Sequence, residues 1–208
     1  VLLASITKDC NFNFKGCWAH EYDVREDLSK DKWREIFTEA RDKMGIHMFP
    51  IVGGEPFIRK DFLELAEEFS DCAFITFTNG SLLTDKTIEK IQKLGNVHPM
   101  LSICGWKEYN DSIRGEGCFD MLMEKMDKLK KAGIFFGASV TATSQNTDEV
   151  TSDEFIKMLC DKGSMWSWFF HYVPVGENPD VDLVPNAHQR NQIKKAVYHA
   201  RNTLPMFA

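Results

Sequence analysis

Residues 29–56 read SKDKWREIFTEARDKMGIHMFPIVGGEP, and this stretch decides the fold. Ser29 has the side chain of an N-cap, and the charged-and-apolar run behind it predicts a helix over 29–44. Gly45 supplies the left-handed residue that ends such a helix. IHMFPIV (46–52) is a continuous apolar run, as expected of a strand buried on both faces. Gly53-Gly54-Glu55-Pro56 then breaks the run. Two glycines let the backbone come close to a neighbour or a ligand, Glu55 places a carboxylate at the strand exit, and Pro56 stiffens it.

The same unit recurs along the chain. Apolar runs at 2–7, 46–52, 73–78, 97–104, 134–143 and 166–175 predict six strands. Amphipathic stretches at 29–44, 59–70, 84–94, 117–132, 151–162 and 187–202 predict six helices. Asp61 and Thr84 read as N-caps, and Thr151-Ser-Asp-Glu154 as a capping box. Gly95, Gly133 and Gly163 read as helix stops. Strand–helix alternation means parallel strands joined by right-handed crossovers. The result is an α/β protein, either a doubly wound sheet or an incomplete (βα)6 barrel. Either architecture places ligands at the carboxyl ends of the strands, where the unusual loops of this sequence lie.

With 208 residues, 43% hydrophobic and 27% charged, the chain can bury one sizeable core. A net charge of −6 argues against a nucleic-acid surface. No apolar run reaches the roughly 20 residues of a membrane span. The N-terminus carries no signal-peptide pattern, and six cysteines in an α/β pattern read as reduced thiols of a cytoplasmic protein. Both termini are apolar, like strands cut open, so residues 1–208 read as one domain excised from a longer chain.

The first strand exits into ITKDCNFNFKGCW (6–18). Thiolates at Cys10 and Cys17 suit soft metals and iron–sulfur clusters, although two cysteines alone also make an ordinary loop. This loop, followed by VGGEP on the next strand, resembles the radical S-adenosylmethionine (SAM) superfamily. In that family a C-x3-C-x2-C loop follows the first strand and GGEP the second. FTNGSLLTD, LSICGWKEYNDSIRGEGCFD, VTATSQN and WFFHYVPVG are similar to the later strands and their turns, so the likeness spans nearly the whole chain. It implies a partial (βα)6, TIM-like barrel that holds a 4Fe-4S cluster and SAM. It also implies cleavage of SAM to a 5′-deoxyadenosyl radical that takes hydrogen from a small-molecule or peptide substrate. A flavodoxin- or ferredoxin-type electron donor belongs to that picture. Carried over by position, Cys10 and Cys17 bind the cluster. Gly53, Gly54, Glu55 and Pro56 form the SAM amino-end motif. Thr78 and Asn79 line the mouth, and Ser102 and Arg114 contact the SAM carboxylate or ribose.

The sequence departs from that pattern twice. Phe14 stands at the middle cysteine, and a phenyl ring cannot donate to iron. Cys104 stands where the family has an acidic residue. Three readings therefore stay open: an active radical SAM core; a degenerate barrel that binds SAM or serves as a scaffold without a stable cluster; and a zinc site made by Cys10, Cys17 and His20. The zinc reading leaves GGEP unexplained. The aromatic sixth strand, MWSWFFHYVPVG, reads as barrel wall, with either His171 or Tyr172 turned inward. Cys72, Cys118 and Cys160 read as packing residues.

Overall fold

The structure is a computed structural model that describes residues 1–14, 16–21, 26–176 and 179–208, with the backbone alone at 20 and 21. Six strands form one parallel sheet in sequence order: β1 (Ala4–Thr7), β2 (Met48–Gly53), β3 (Ala73–Thr78), β4 (Val97–Ile103), β5 (Gly137–Ala142) and β6 (Trp166–His171). A doubly wound sheet reverses its strand order at the middle. This one does not reverse, and β1 and β6 are its two edges, so the architecture is the incomplete (βα)6 barrel. Phe207 adds an isolated parallel bridge to Trp166 on the outer side of β6.

The helices are α1 (Lys30–Met44), α2 (Phe62–Glu68), α3 (Asp85–Leu94), α4 (Lys107–Arg114), α5 (Cys118–Lys131), α6 (Thr147–Val150), α7 (Asp153–Asp161) and α8 (Ala187–Thr203). Among the described residues no helix is long and apolar enough to cross a membrane. Ser29 and Thr84 cap α1 and α3 through their hydroxyls, and Gly45 and Gly95 end those helices in the left-handed conformation. Two capping expectations are corrected. Asp61 makes no cap hydrogen bond because Arg59 takes its carboxylate. The cap of α7 is Ser152 rather than Thr151, whose hydroxyl instead donates to the Thr147 carbonyl of the short α6. Two α-helices were not expected from sequence, α4 and α6, and Asn186 with Gln189 makes a full capping box on α8.

Alternation along the strands separates two interiors. On β2, Phe49 and Ile51 pack outward into the core beneath the helices, while Pro50 and Val52 face the barrel lumen. On β5, Ala138, Val140 and Ala142 face the helices, and Ser139 and Thr141 face the lumen. The outer core centres on Phe37, Phe49, Phe62 and Phe74, all fully buried, with the Phe37 and Phe49 rings 4.8 Å apart. Burying four such rings contributes on the order of 8 kcal/mol or more before entropy is counted. The lumen is lined by small and polar residues on β4 and β5 and by aromatic ones on β6. It is therefore free to hold something other than the protein's own side chains.

Candidate functional site

A cavity of about 780 Å³ opens at the carboxyl ends of the strands, a volume within the range of small-molecule sites. Its walls include Cys10, Cys17, Gly53, Gly54, Thr78, Asn79, Ser102 and Arg114. Residues more than a hundred positions apart in sequence thus meet around one space. Glu55 and Pro56 are buried behind that wall.

The two glycines are there because of a close backbone approach. Gly54 N–H donates to the Thr7 carbonyl at 2.9 Å and Glu55 N–H to the Asp9 carbonyl at 2.8 Å, so the exit of β2 zips onto the exit of β1 beyond the sheet. A Cβ at Gly54 would lie 2.1 Å from the Asp9 oxygen, and one at Gly53 2.2 Å from the Thr7 oxygen. This contact holds the start of the cysteine loop. Asp27 grips the same place by accepting from the Thr7 hydroxyl at 2.5 Å and from Lys8 N–H at 3.1 Å.

Glu55 joins β2 to β3. Its carboxylate accepts from the Thr78 hydroxyl at 2.8 Å, Asn79 N–H at 2.8 Å and Phe57 N–H at 3.2 Å. Burial nevertheless pushes its carboxyl above the usual range, outweighing these three hydrogen bonds. Asn79 in turn donates to the Asn11 carboxamide at 3.0 Å, and Asn11 donates to the Ser81 hydroxyl at 2.8 Å. The cysteine loop is therefore tied to two neighbouring strand exits.

Cys10 and Cys17 both face the cavity. Burial pushes the Cys10 thiol up, while Phe12 N–H, which lies 3.4 Å from its sulfur, acts in the opposite sense. Phe14 lies in the same wall, and the Arg114 guanidinium stands 4.8 Å above its ring centroid. Arg114 Nε donates to Cys104 Sγ at 3.2 Å, so Phe14, Arg114 and Cys104 form one connected group across the mouth. The loop after β6 closes the other side. A Cβ at Gly16 would touch the Tyr172 ring at 3.2 Å, and one at Gly176 would lie 2.5 Å from the Cys17 carbonyl oxygen. Tyr172 is buried and accepts from Asp180 N–H through its hydroxyl. The His20 side chain lies outside the described residues. Among the described residues, no third histidine, cysteine or carboxylate joins Cys10 and Cys17 within reach of a single ion.

Sequence reasoning missed the supports. Asn110 Oδ1 accepts from Cys104 N–H at 3.1 Å, and Asn146 Nδ2 donates to the Cys104 carbonyl at 2.6 Å; both asparagines are fully buried. Tyr109 reaches into the cavity and pairs with the Thr143 hydroxyl at 2.9 Å. The only sequence signal was an asparagine a few residues beyond each of two strand ends.

The donor set fits the SAM side of an iron–sulfur site better than its iron side. Backbone groups of Gly53 and Gly54, the Ser102 hydroxyl and the Arg114 guanidinium surround one space, with two soft thiols at its edge and no donor at Phe14. A family model described as the radical SAM superfamily matches residues 4–170. Mycofactocin maturase MftC of Mycolicibacterium smegmatis is 32% identical over 196 residues, covering 90% of this chain and 49% of that protein. Fe-coproporphyrin III synthase of Methanosarcina barkeri is 26% identical over 199 residues, covering 88% and 48%. Among solved structures, Streptococcus suis SuiB bound to S-adenosylmethionine superposes with a TM-score of 0.83 at 18% identity, covering 99% of this chain and 49% of that one. The chain thus spans about half the length of the curated relatives it matches. Together with the six-stranded partial barrel and its Gly-Gly-Glu-Pro exit, the family match over 4–170 is decisive: the chain belongs to the radical SAM superfamily.

Proposed function

We propose that residues 1–208 form the core domain of a radical SAM enzyme that binds a 4Fe-4S cluster and SAM in the strand-end cavity. The observation that carries this reading is the convergence of the cysteine loop, Gly53-Gly54, Thr78-Asn79, Ser102 and Arg114 around one space. With both groups bound, the chemistry supplied is one-electron cleavage of SAM and hydrogen abstraction from substrate by the 5′-deoxyadenosyl fragment. The protein's part is positional. Cys10 and Cys17 hold iron. Glu55 is committed to the β3 exit and to Phe57 N–H, so it sets the Gly53-Gly54 backbone in place to meet the SAM amino end. Ser102 and Arg114 face the SAM carboxylate or ribose. Phe77, Trp168 and Phe170 give the lumen an aromatic, apolar wall.

The substrate in this reading is a peptide that presents an apolar side chain to that wall. Support comes from the apolar β6 face and from the structure of SuiB bound to its precursor peptide SuiA, which superposes with a TM-score of 0.78. A flavodoxin- or ferredoxin-type protein supplies the electron.

The test is anaerobic reconstitution with iron and sulfide, followed by iron counting and assay of SAM cleavage to 5′-deoxyadenosine. It is run on the unchanged chain and on Phe14→Cys. Near four irons and SAM cleavage in the unchanged chain support the proposal. Iron uptake and cleavage confined to Phe14→Cys overturn it in favour of a degenerate SAM-binding barrel.

A further inference from the structure

At the opposite end of the barrel, His47, Asp71 and Cys72 bring three different donors together, with their ligand atoms all within 4.8 Å of one another. We propose that they form a binding site for a thiophilic divalent cation of tetrahedral preference, zinc above all. The residues come from two separate connections. His47 precedes β2, and Asp71-Cys72 precedes β3. Ala73 N–H donates to the His47 carbonyl at 2.8 Å, which fixes the two connections in register before any ion arrives.

The separations suit one small ion. His47 Nδ1 lies 3.9 Å from Cys72 Sγ, and the Asp71 carboxylate approaches each of them with a different oxygen, Oδ2 at 3.7 Å from His47 Nδ1 and Oδ1 at 3.8 Å from Cys72 Sγ. Zinc bonds of about 2.0 Å to nitrogen or oxygen and about 2.3 Å to sulfur, at tetrahedral angles, require edges of roughly 3.3–3.5 Å. Turning one Asp71 oxygen toward both neighbours, with contractions of up to about 1.5 Å from separations of at most 4.8 Å, closes the site. A thiolate and a carboxylate balance the charge of the dication, and the exposed His47 and Asp71 leave the fourth position to water. Arg41 Nη1 stays 3.3 Å from Asp71 Oδ1 as an outer partner of the ligating carboxylate. His47 Nδ1–H donates to the Asp71 carbonyl oxygen at 3.3 Å, so binding requires that this hydrogen bond be given up and the imidazole proton move to Nε2. The Cys72 thiol, pushed up to about 11 by burial and by Asp71, gives up its proton to the ion.

The test uses cobalt(II) as a spectroscopic stand-in for zinc, on reduced chain in which Cys10 and Cys17 are both replaced by alanine so that the mouth thiols do not compete. The expected result is one cobalt per chain, intense tetrahedral visible bands, a sulfur-to-cobalt charge-transfer band, and displacement by zinc. In the same background, Cys72→Ala is expected to abolish the charge-transfer band, and His47→Ala to weaken affinity roughly tenfold or more. Circular dichroism verifies that each variant is folded, and Asp71→Asn gives a milder lesion of the same site. No charge-transfer band, or one that persists in folded Cys72→Ala, overturns the proposal. Because the readout ignores SAM and the cluster, its failure is separate from failure of the radical SAM reading.

Discussion

At the residue scale, Phe14 and Glu55 illustrate opposite kinds of legibility. Glu55 was visible as a carboxylate in a Gly-Gly-Glu-Pro exit. That its oxygens are consumed by Thr78, Asn79 and Phe57 was not visible, because two of the three partners belong to the exit of another strand. Glu55→Gln replaces an acceptor with a donor that faces other donors. It is expected to cost about 1–3 kcal/mol in urea unfolding at neutral pH. The carboxyl titrates above its ordinary value when folded, so the folded state binds more protons between that value and the raised one. Stability is therefore fully supported below the ordinary carboxylate range and falls as pH rises through the raised folded value. Urea midpoints measured from about pH 4 to about pH 7 should show this decline in the unchanged chain and lose that part of it in Glu55→Gln. Phe14 was legible as a missing thiolate. Its place beneath the Arg114 guanidinium was not, since stacking across the mouth leaves no trace in sequence. Phe14→Leu keeps an apolar wall but removes the stack. The expected cost is about 0.5–1 kcal/mol, read from denaturant unfolding.

At the element scale, strands were the easiest features to read. Buried parallel strands are continuous apolar runs, and the β3 bounds match the expected 73–78. Helix starts were harder, because a cap depends on what else competes for the side chain. Arg59 diverts Asp61, and the short α6 diverts Thr151. The true α7 cap is testable. Ser152→Ala removes the acceptor for Phe155 N–H and is expected to cost about 1 kcal/mol, whereas Thr151→Val leaves that cap intact. Helix α4 was hidden by flanking glycines that read as loop, yet it carries Arg114 to the cavity. The β1–β2 exit contact is the least tolerant point. Gly54→Ala drives a methyl into the Asp9 carbonyl, so a loss of roughly 3 kcal/mol or more, the upper end for overpacking, is expected in thermal or denaturant melts.

At the scale of the whole molecule, the barrel separates two chemistries. The SAM-side cavity lies beyond the carboxyl ends of the strands, and the His47–Asp71–Cys72 group lies before β2 and β3. A six-residue strand at about 3.3 Å per residue puts roughly 16 Å or more between them. Stability changes from Phe14→Leu and Cys72→Ala should therefore add to within about 0.5 kcal/mol in the double variant. The sequence made the strand-end cavity predictable, since parallel α/β topology always points its exits one way. It hid the lower cluster, because Cys72 read as packing and its partner His47 lies 25 positions away.

The sixth strand adds a built-in optical reporter. The Trp166 and Trp168 rings stack 5.7 Å apart, and Phe77 and Phe170 flank Trp168 along the lumen. Two indoles at that spacing couple their electronic transitions, so near-ultraviolet circular dichroism carries a signature of this pair. Trp168 borders the cavity, and a molecule entering the lumen changes the polarity around one indole and the angle between the two. Occupancy can thus be followed in the unlabelled protein, independently of any colour from iron.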